Sequence, residues 1–196
     1  LLPKLMDEAK IDCWLIISRE YNEDPILKTF LPAEWLSARR TTMLVFYRDK
    51  KNNSLKSYAI ARYQVGKRIQ AAWNPEKEPN QWLALSKLID SLNPNQIGLN
   101  NSNDYGHADG LHLTEFNELK KVLAPIQLSK IVSAEKLGVA WLETRTEKEM
   151  AFFPTLLAIS HQIIKEGFSN KVIQPNKTST NDLVWWFRQK VVDLGL

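Results

Sequence analysis

Five consecutive apolar residues, Cys13-Trp14-Leu15-Ile16-Ile17, constrain the fold more than any other stretch. The run is too short and too uniformly apolar to be an amphipathic helix, and far from the ~18 residues a membrane helix needs. It reads as a strand buried on both faces, which requires a sheet covered by a layer on each side. The rest of the chain must therefore supply helices to two faces, and its pattern does so. Leu2, Leu5, Met6 and Ala9 recur at helical spacing. Thr41 to Tyr47 is strongly β-prone, Lys50 to Asn53 forms a polar turn, and Leu55 to Ala61 returns as the second arm of a hairpin. A further strand is expected within Arg68 to Trp73, and a helix from Trp82 to Leu92 that stops at Asn93-Pro94. Gln96 to Leu99 reads as a short strand. Thr114 is the expected N-cap of a helix faced by Phe116, Leu119, Val122 and Leu123, and Ile126 to Val132 returns as a strand or extended segment. Alternation of this kind predicts an α/β domain, with a mixed β-sheet flanked by helices.

The pattern changes after Ser133. A linking helix is expected over 134–145. Thr146-Glu147-Lys148-Glu149 is a capping box that opens a long apolar helix, in which Pro154 should kink or interrupt the first two turns. Ser179 to Asp182 caps a last helix, with Gly195 at C′. Its Trp185-Trp186-Phe187 run cannot share one helix face, so at least two faces need cover. The predicted organisation is a domain over 1–133, the link over 134–145, and a separate helical region over 146–196. The chain opens without Met and closes on a helix. It is expected to be cut from a longer protein, or to have lost a signal peptide, so a cytoplasmic and an exported location both stay open.

Chemistry is sparse. The net charge is +4 with basic residues scattered, which argues against a nucleic-acid face, and no apolar run reaches membrane length. The one cysteine, Cys13, has no internal disulfide partner and reads as a buried thiol. His107 and His112 lie in a polar loop near Asp104 and Asp109, without the spacing of a zinc or calcium motif. No nucleophile elbow, P-loop or dinucleotide fingerprint is present. The expected strands at 13–17, 41–47 and 97–99 carry no Asp or Glu, which excludes a nuclease-like cluster of carboxylates on strand ends. What stands out is a long polar and aromatic loop between two buried strands. Long loops on rigid scaffolds carry function, and Arg19, Tyr21, Asp24, Trp35, Arg39 and Arg40 are expected to cluster there as a rim.

Several stretches in order resemble one family. Ile11 to Ile16 with Arg19-Glu20-Tyr21 and Asp24-Pro25 looks like the opening of creatinase/prolidase amino-terminal domains. Ile97-Gly98-Leu99-Asn100 with Ser102 and Ala108-Asp109-Gly110-Leu111 is similar to a later part of them. Val132 to Leu137 with Trp141 to Thr146 and Glu149 resembles the junction into the "pita-bread" catalytic domain, and Ile173 to Asp182 resembles the Pro-Gly-x-Thr-x-x-Asp turn that opens it. Val184-Trp185-Trp186-Phe187 is similar to an Xaa-Pro aminopeptidase subgroup. Two positions depart from the pattern: Asn176 stands for the expected Gly, and Pro154 falls inside the first catalytic-domain helix.

The resemblance implies a ribonuclease-H-like amino-terminal domain followed by the first helices of a truncated α+β catalytic domain. It implies a non-catalytic role in a metallopeptidase-like hydrolase acting on Xaa-Pro peptides: forming a homodimer or higher homo-oligomer and supplying, from the loop named above, a substrate rim that faces a partner subunit. The parent would hold two divalent ions (Mn, Co or Zn) on Asp, Asp, His, Glu and Glu ligands that all come later, so no catalytic or metal-ligand residue is expected in this chain. The alternative is a binding or structural module of a divergent member without peptidase activity.

Overall fold

A computed structural model describes residues 1–196. The chain divides into two compact units, Leu1–Thr144 and Arg145–Leu196.

The first unit is a six-stranded sheet in the order β4-β3-β2-β1-β5-β6. Its strands are β1 (Cys13–Arg19), β2 (Thr41–Asp49), β3 (Ser54–Ile60), β4 (Gln70–Ala71), β5 (Ile97–Leu99) and β6 (Ile131–Ser133). β1 pairs antiparallel with β2 and parallel with β5, so the sheet is mixed. β2–β3 is the expected hairpin, and β4 and β6 add parallel edges. Residues Cys13 to Ser18 are all buried, as the apolar run requires. Trp14 and Ile16 join Leu44 and Phe46 on one face, under α1 (Leu2–Ala9), α2 (Pro25–Lys28) and α6 (Glu135–Glu143). Cys13, Leu15 and Ile17 join Met43 and Val45 on the other, under α3 (Gln81–Leu92) and α4 (Leu113–Val122). Period-two alternation along β1 thus feeds two cores.

Three expectations are met only in part. The helix after Gly110 starts two residues earlier than Thr114 signals: His112 is the N-cap, and it makes no side-chain cap hydrogen bond. Thr114 is inside the helix, and Glu115 beside it is buried. The segment after Pro125 is not extended throughout. It turns first as α5 (Pro125–Leu128), where proline's fixed φ suits a first helical turn, and only then forms β6. The strand expected within 68–73 shrinks to two residues. The helix expected over 134–145 forms over Glu135–Glu143 and packs inside the first unit, with Leu137 fully buried and the Trp141 ring stacked 4.6 Å from Phe30.

The second unit holds α7 (Glu147–Gly167) and α8 (Thr180–Asp193). Both capping boxes form: Thr146 with Glu149, and Ser179 with Asp182. α7 runs unbroken through Pro154. Asn176 takes the left-handed geometry the glycine of the similar turn would take (φ 63°), and Gly195 does so after α8 (φ 71°). Gly167 lets the two helices close, since a Cβ there would lie 2.5 Å from the Phe187 ring and 2.9 Å from Trp186.

Candidate functional site

The loop between β1 and β2 is folded back on itself by carboxylates. The Glu20 amide donates to the Arg40 carbonyl at 2.9 Å, and the Arg40 amide donates to Glu20 Oε2 at 3.2 Å. Glu23 Oε1 accepts from the amides of Tyr21 (2.9 Å) and Ala38 (3.0 Å), joining the two limbs of the loop. Beneath them lies a buried polar chain. Trp14 Nε1 donates to Asn100 Oδ1 at 2.7 Å, Asn100 Nδ2 donates to Asp24 Oδ2 at 2.8 Å, and Asp24 Oδ1 accepts from the amides of Ile26 and Leu27, capping α2. The Asp24 amide donates to Ser18 Oγ at 2.6 Å. Burial pushes the Asp24 carboxyl above its ordinary range, against the opposing pull of Asn100, the two backbone donors and His112. Gly110 closes over this carboxylate: a Cβ there would meet Asp24 Cγ and Oδ2 at 2.2 Å.

The same loop carries an open groove of about 600 Å³, lined by Glu20, Tyr21, Glu34, Trp35, Leu36, Ser37, Arg39, Arg40 and Tyr63. It lies off the ends of β1 and β3 and the start of β2, at the carboxyl-terminal edge of β1 where open α/β sheets place their ligands. The Arg39 guanidinium carbon is 4.7 Å from the Trp35 ring centroid and 5.5 Å from that of Tyr63. Tyr21 and Leu36 are 85% and 97% exposed, which is unusual for side chains of this size. Tyr21 (φ 66°) and Arg40 (φ 56°) hold left-handed backbone. Of the other side-chain-bearing residues with positive φ, Lys10 and Asn93 are helix C-caps, Asn53 is in the hairpin turn, and Asn176 is in the turn before α8. Tyr21, in the turn closed by the Asn22 amide on the Arg19 carbonyl, and Arg40 both line the groove.

The groove brings together four of the expected rim residues, Tyr21, Trp35, Arg39 and Arg40. Arg19 turns away and pairs through Nε with Glu115 Oε1, and Asp24 is buried under the loop. Tyr63, Leu36 and Glu34 were not legible as site residues. Tyr63 follows β3 and reaches the groove only through the sheet register, which pairs Met43 with Ile60. Asn100 and Gly110 did stand out in the motif stretches, and their role is now physical: one hydrogen-bonds the loop anchor, the other leaves room for it.

The lining offers aromatic faces, two guanidinium groups, two carboxylates and the hydroxyls of Ser37, Tyr21 and Tyr63, but no His, Cys or Lys. That set is equipped for recognition. No group of three or more His, Cys, Asp or Glu side chains that could hold a metal ion converges in the chain, so its residues do not fit a two-ion centre. No helix is long and apolar enough to cross a membrane.

No protein-family model matches the chain, and no curated protein matches it. Among solved structures, an Xaa-Pro dipeptidase from Bacillus anthracis is similar, with a TM-score of 0.54 at 14% identity over 96% of this chain. The match takes in 47% of that protein, so this chain spans about half of its length. At that identity the likeness is one of fold. The mixed sheet between helices is consistent with the creatinase/prolidase amino-terminal fold.

Proposed function

We propose that this chain is the non-catalytic amino-terminal domain, with the first helices of the catalytic domain, of an Xaa-Pro aminopeptidase- or dipeptidase-like metallohydrolase. In this reading the domain supports homo-oligomer formation, and the Tyr21–Trp35–Arg39–Arg40 groove forms part of the rim of a peptide site, facing a partner subunit. The two divalent ions would be held by residues outside this chain. The observation that carries the reading is the fold likeness across 96% of the chain, together with an exposed groove of stacking and guanidinium groups that has no chemistry of its own.

The test is steady-state hydrolysis of Xaa-Pro peptides by a protein containing this chain and the region after it, with Mn²⁺ supplied. Trp35→Ala should raise KM severalfold with kcat little changed, since a rim contact binds ground and transition states alike. Sedimentation should show a dimer or larger assembly. A monomer with no hydrolysis would sink the peptidase reading. Hydrolysis that is indifferent to Trp35 would remove the rim from it. Peptide binding without hydrolysis would move the protein to the other reading, a binding module of a divergent member.

A further inference from the structure

We propose that a second groove, on the face of the sheet that carries α1, α2 and α6, binds the acyl chain of a free fatty acid, with Lys67 and Arg68 taking its anionic head. The groove holds about 530 Å³ and shares no lining residue with the first. Its floor is the β2–β3 hairpin. Phe46 pairs across it with Ser57, and Leu55 lies two residues from Ser57 on the same face. Ser57 is the small residue of this floor and leaves the depth that a larger side chain would fill. One wall is aromatic and already fixed. The Phe30 and Trp141 rings stack at 4.6 Å, Phe30 lies 4.5 Å from Phe46, and Trp141 Nε1 donates to Thr29 Oγ1 at 2.7 Å. The facing wall is the connection from β3 to β4. Gln64 Nε2 closes it by donating to the carbonyls of Gly66 (2.8 Å) and Ile69 (3.0 Å), and Gly66 turns it with a φ of 61°. Val65 and Ile69 are buried in this turn, and Lys67 and Arg68 are exposed between them. Walls held in this way lose little freedom when a ligand enters.

Charge and relief select the ligand. Lys67 and Arg68 both line the groove, neither forms an ion pair, and the lining contains no Asp or Glu. An apolar trough with two unanswered positive charges is complementary to an apolar chain that ends in an anion. The apolar lining is recessed rather than protruding: Leu2, Phe46, Val65 and Ile69 are all buried. A bilayer or a protein partner is met by apolar side chains that stand out from a surface. A recessed floor instead receives one chain from a single dissolved molecule.

The experiment follows the Trp141 indole N–H resonance of the isotope-labelled 196-residue chain, assigned by its loss in Trp141→Phe. The probes are decanoate and octanoate below their micellar concentrations, decan-1-ol, and phosphatidylglycerol vesicles. Decanoate should shift the resonance and bind severalfold more tightly than decanol. Octanoate should bind roughly fivefold or more weakly than decanoate, as expected for two fewer buried methylenes. The double variant Lys67→Gln/Arg68→Gln should bind decanoate no better than decanol. Both side chains are exposed, so it should fold, which circular dichroism checks. Ser57→Leu should fill the floor and abolish the shift; if it fails to fold, the charge variant decides alone. Equal binding of acid and alcohol, no gain with chain length, or a double variant that binds like the parent would overturn the site. So would a response confined to the exposed Trp185. A larger Trp141 shift with vesicles than with decanoate would overturn the free acid as ligand. A shift that tracks protein concentration without any ligand would give the groove to a second copy of the chain. Fatty-acid binding in this groove does not depend on peptide hydrolysis, so the failure of either leaves the other standing.

Discussion

A carboxylate as buried as that of Asp24 is tolerated only because its oxygens are occupied, by two backbone amides and by Asn100. Asp24→Ala removes a helix cap and strands a buried Asn100 donor, so it should cost about 2–4 kcal/mol in urea unfolding. Gly110→Ala drives a methyl into the same carboxylate and should cost about 1–3 kcal/mol. The two share one clash, so the double variant should be more stable than the sum of the losses implies; strict additivity would show that Gly110 acts elsewhere. Asp49 titrates in the opposite sense to Asp24. Hydrogen bonds from Asn52 and Lys56 hold its carboxyl down to about 2, below the 3.8 of an unperturbed aspartate. Its contribution is therefore present above about pH 4 and is lost as pH falls through about 2, and Asp49→Ala should flatten the pH dependence of the urea midpoint in that window. Asp24, with its carboxyl raised, contributes fully below its unfolded value and loses that contribution as pH rises through the folded one. Cys13 is buried and its thiol is pushed up to about 12, so the folded chain at pH 8 should resist iodoacetamide, and labelling read by mass should appear only with denaturant.

At the scale of elements, the apolar run 13–17 made a central strand legible, and the hairpin, α3 and both capping boxes followed from local chemistry. The failures have local causes too. Thr114 looked like a cap because an apolar helical face begins at Phe116, but the start of α4 is fixed by tertiary contacts that bury Glu115 against Arg19. β4 is two residues long because pairing with β3 alone decides it, and nothing in 68–73 states the register. Half of the site was legible as a long loop rich in Arg and aromatics. Tyr63 was hidden because it is brought in across the sheet, and Asp24 looked like a rim residue because a capping aspartate and a surface aspartate read alike in a sequence. Pro154 is the element whose cost is plainest: within α7 it leaves the Met150 carbonyl without its amide partner. Pro154→Ala should restore that bond and slow amide exchange in the first half of α7 by roughly tenfold or more, within the ~3 kcal/mol an interior proline costs. Unchanged exchange would mean that the helix around residue 154 is already as stable as its neighbours.

For the whole molecule, the two units differ in how much core each owns. Ile163 is the only buried hydrophobic residue after Thr144, whereas the first unit holds two packed clusters on either side of its sheet. The second unit instead exposes Phe152, Leu157, Phe168, Trp185 and Val192. Two helices joined by the Gly167 contact, the Phe168–Phe187 ring pair at 5.8 Å and a Lys190–Glu166 ion pair of 2.9 Å bury too little apolar surface to offset the entropy of ordering them. The first unit should therefore be the autonomous one, and it should include α6, because Leu137 and the Trp141–Phe30 stack belong to its core. Limited proteolysis should cut first between 145 and 182 and leave a resistant fragment ending near Thr144. That 1–144 fragment should unfold cooperatively and bind little of a hydrophobic dye, while the full chain binds the dye and associates as its concentration rises. A resistant fragment that ends near Ser133 would place α6 outside the autonomous unit, and equal resistance along the chain would show that residues 145–196 are held by more than their own two helices.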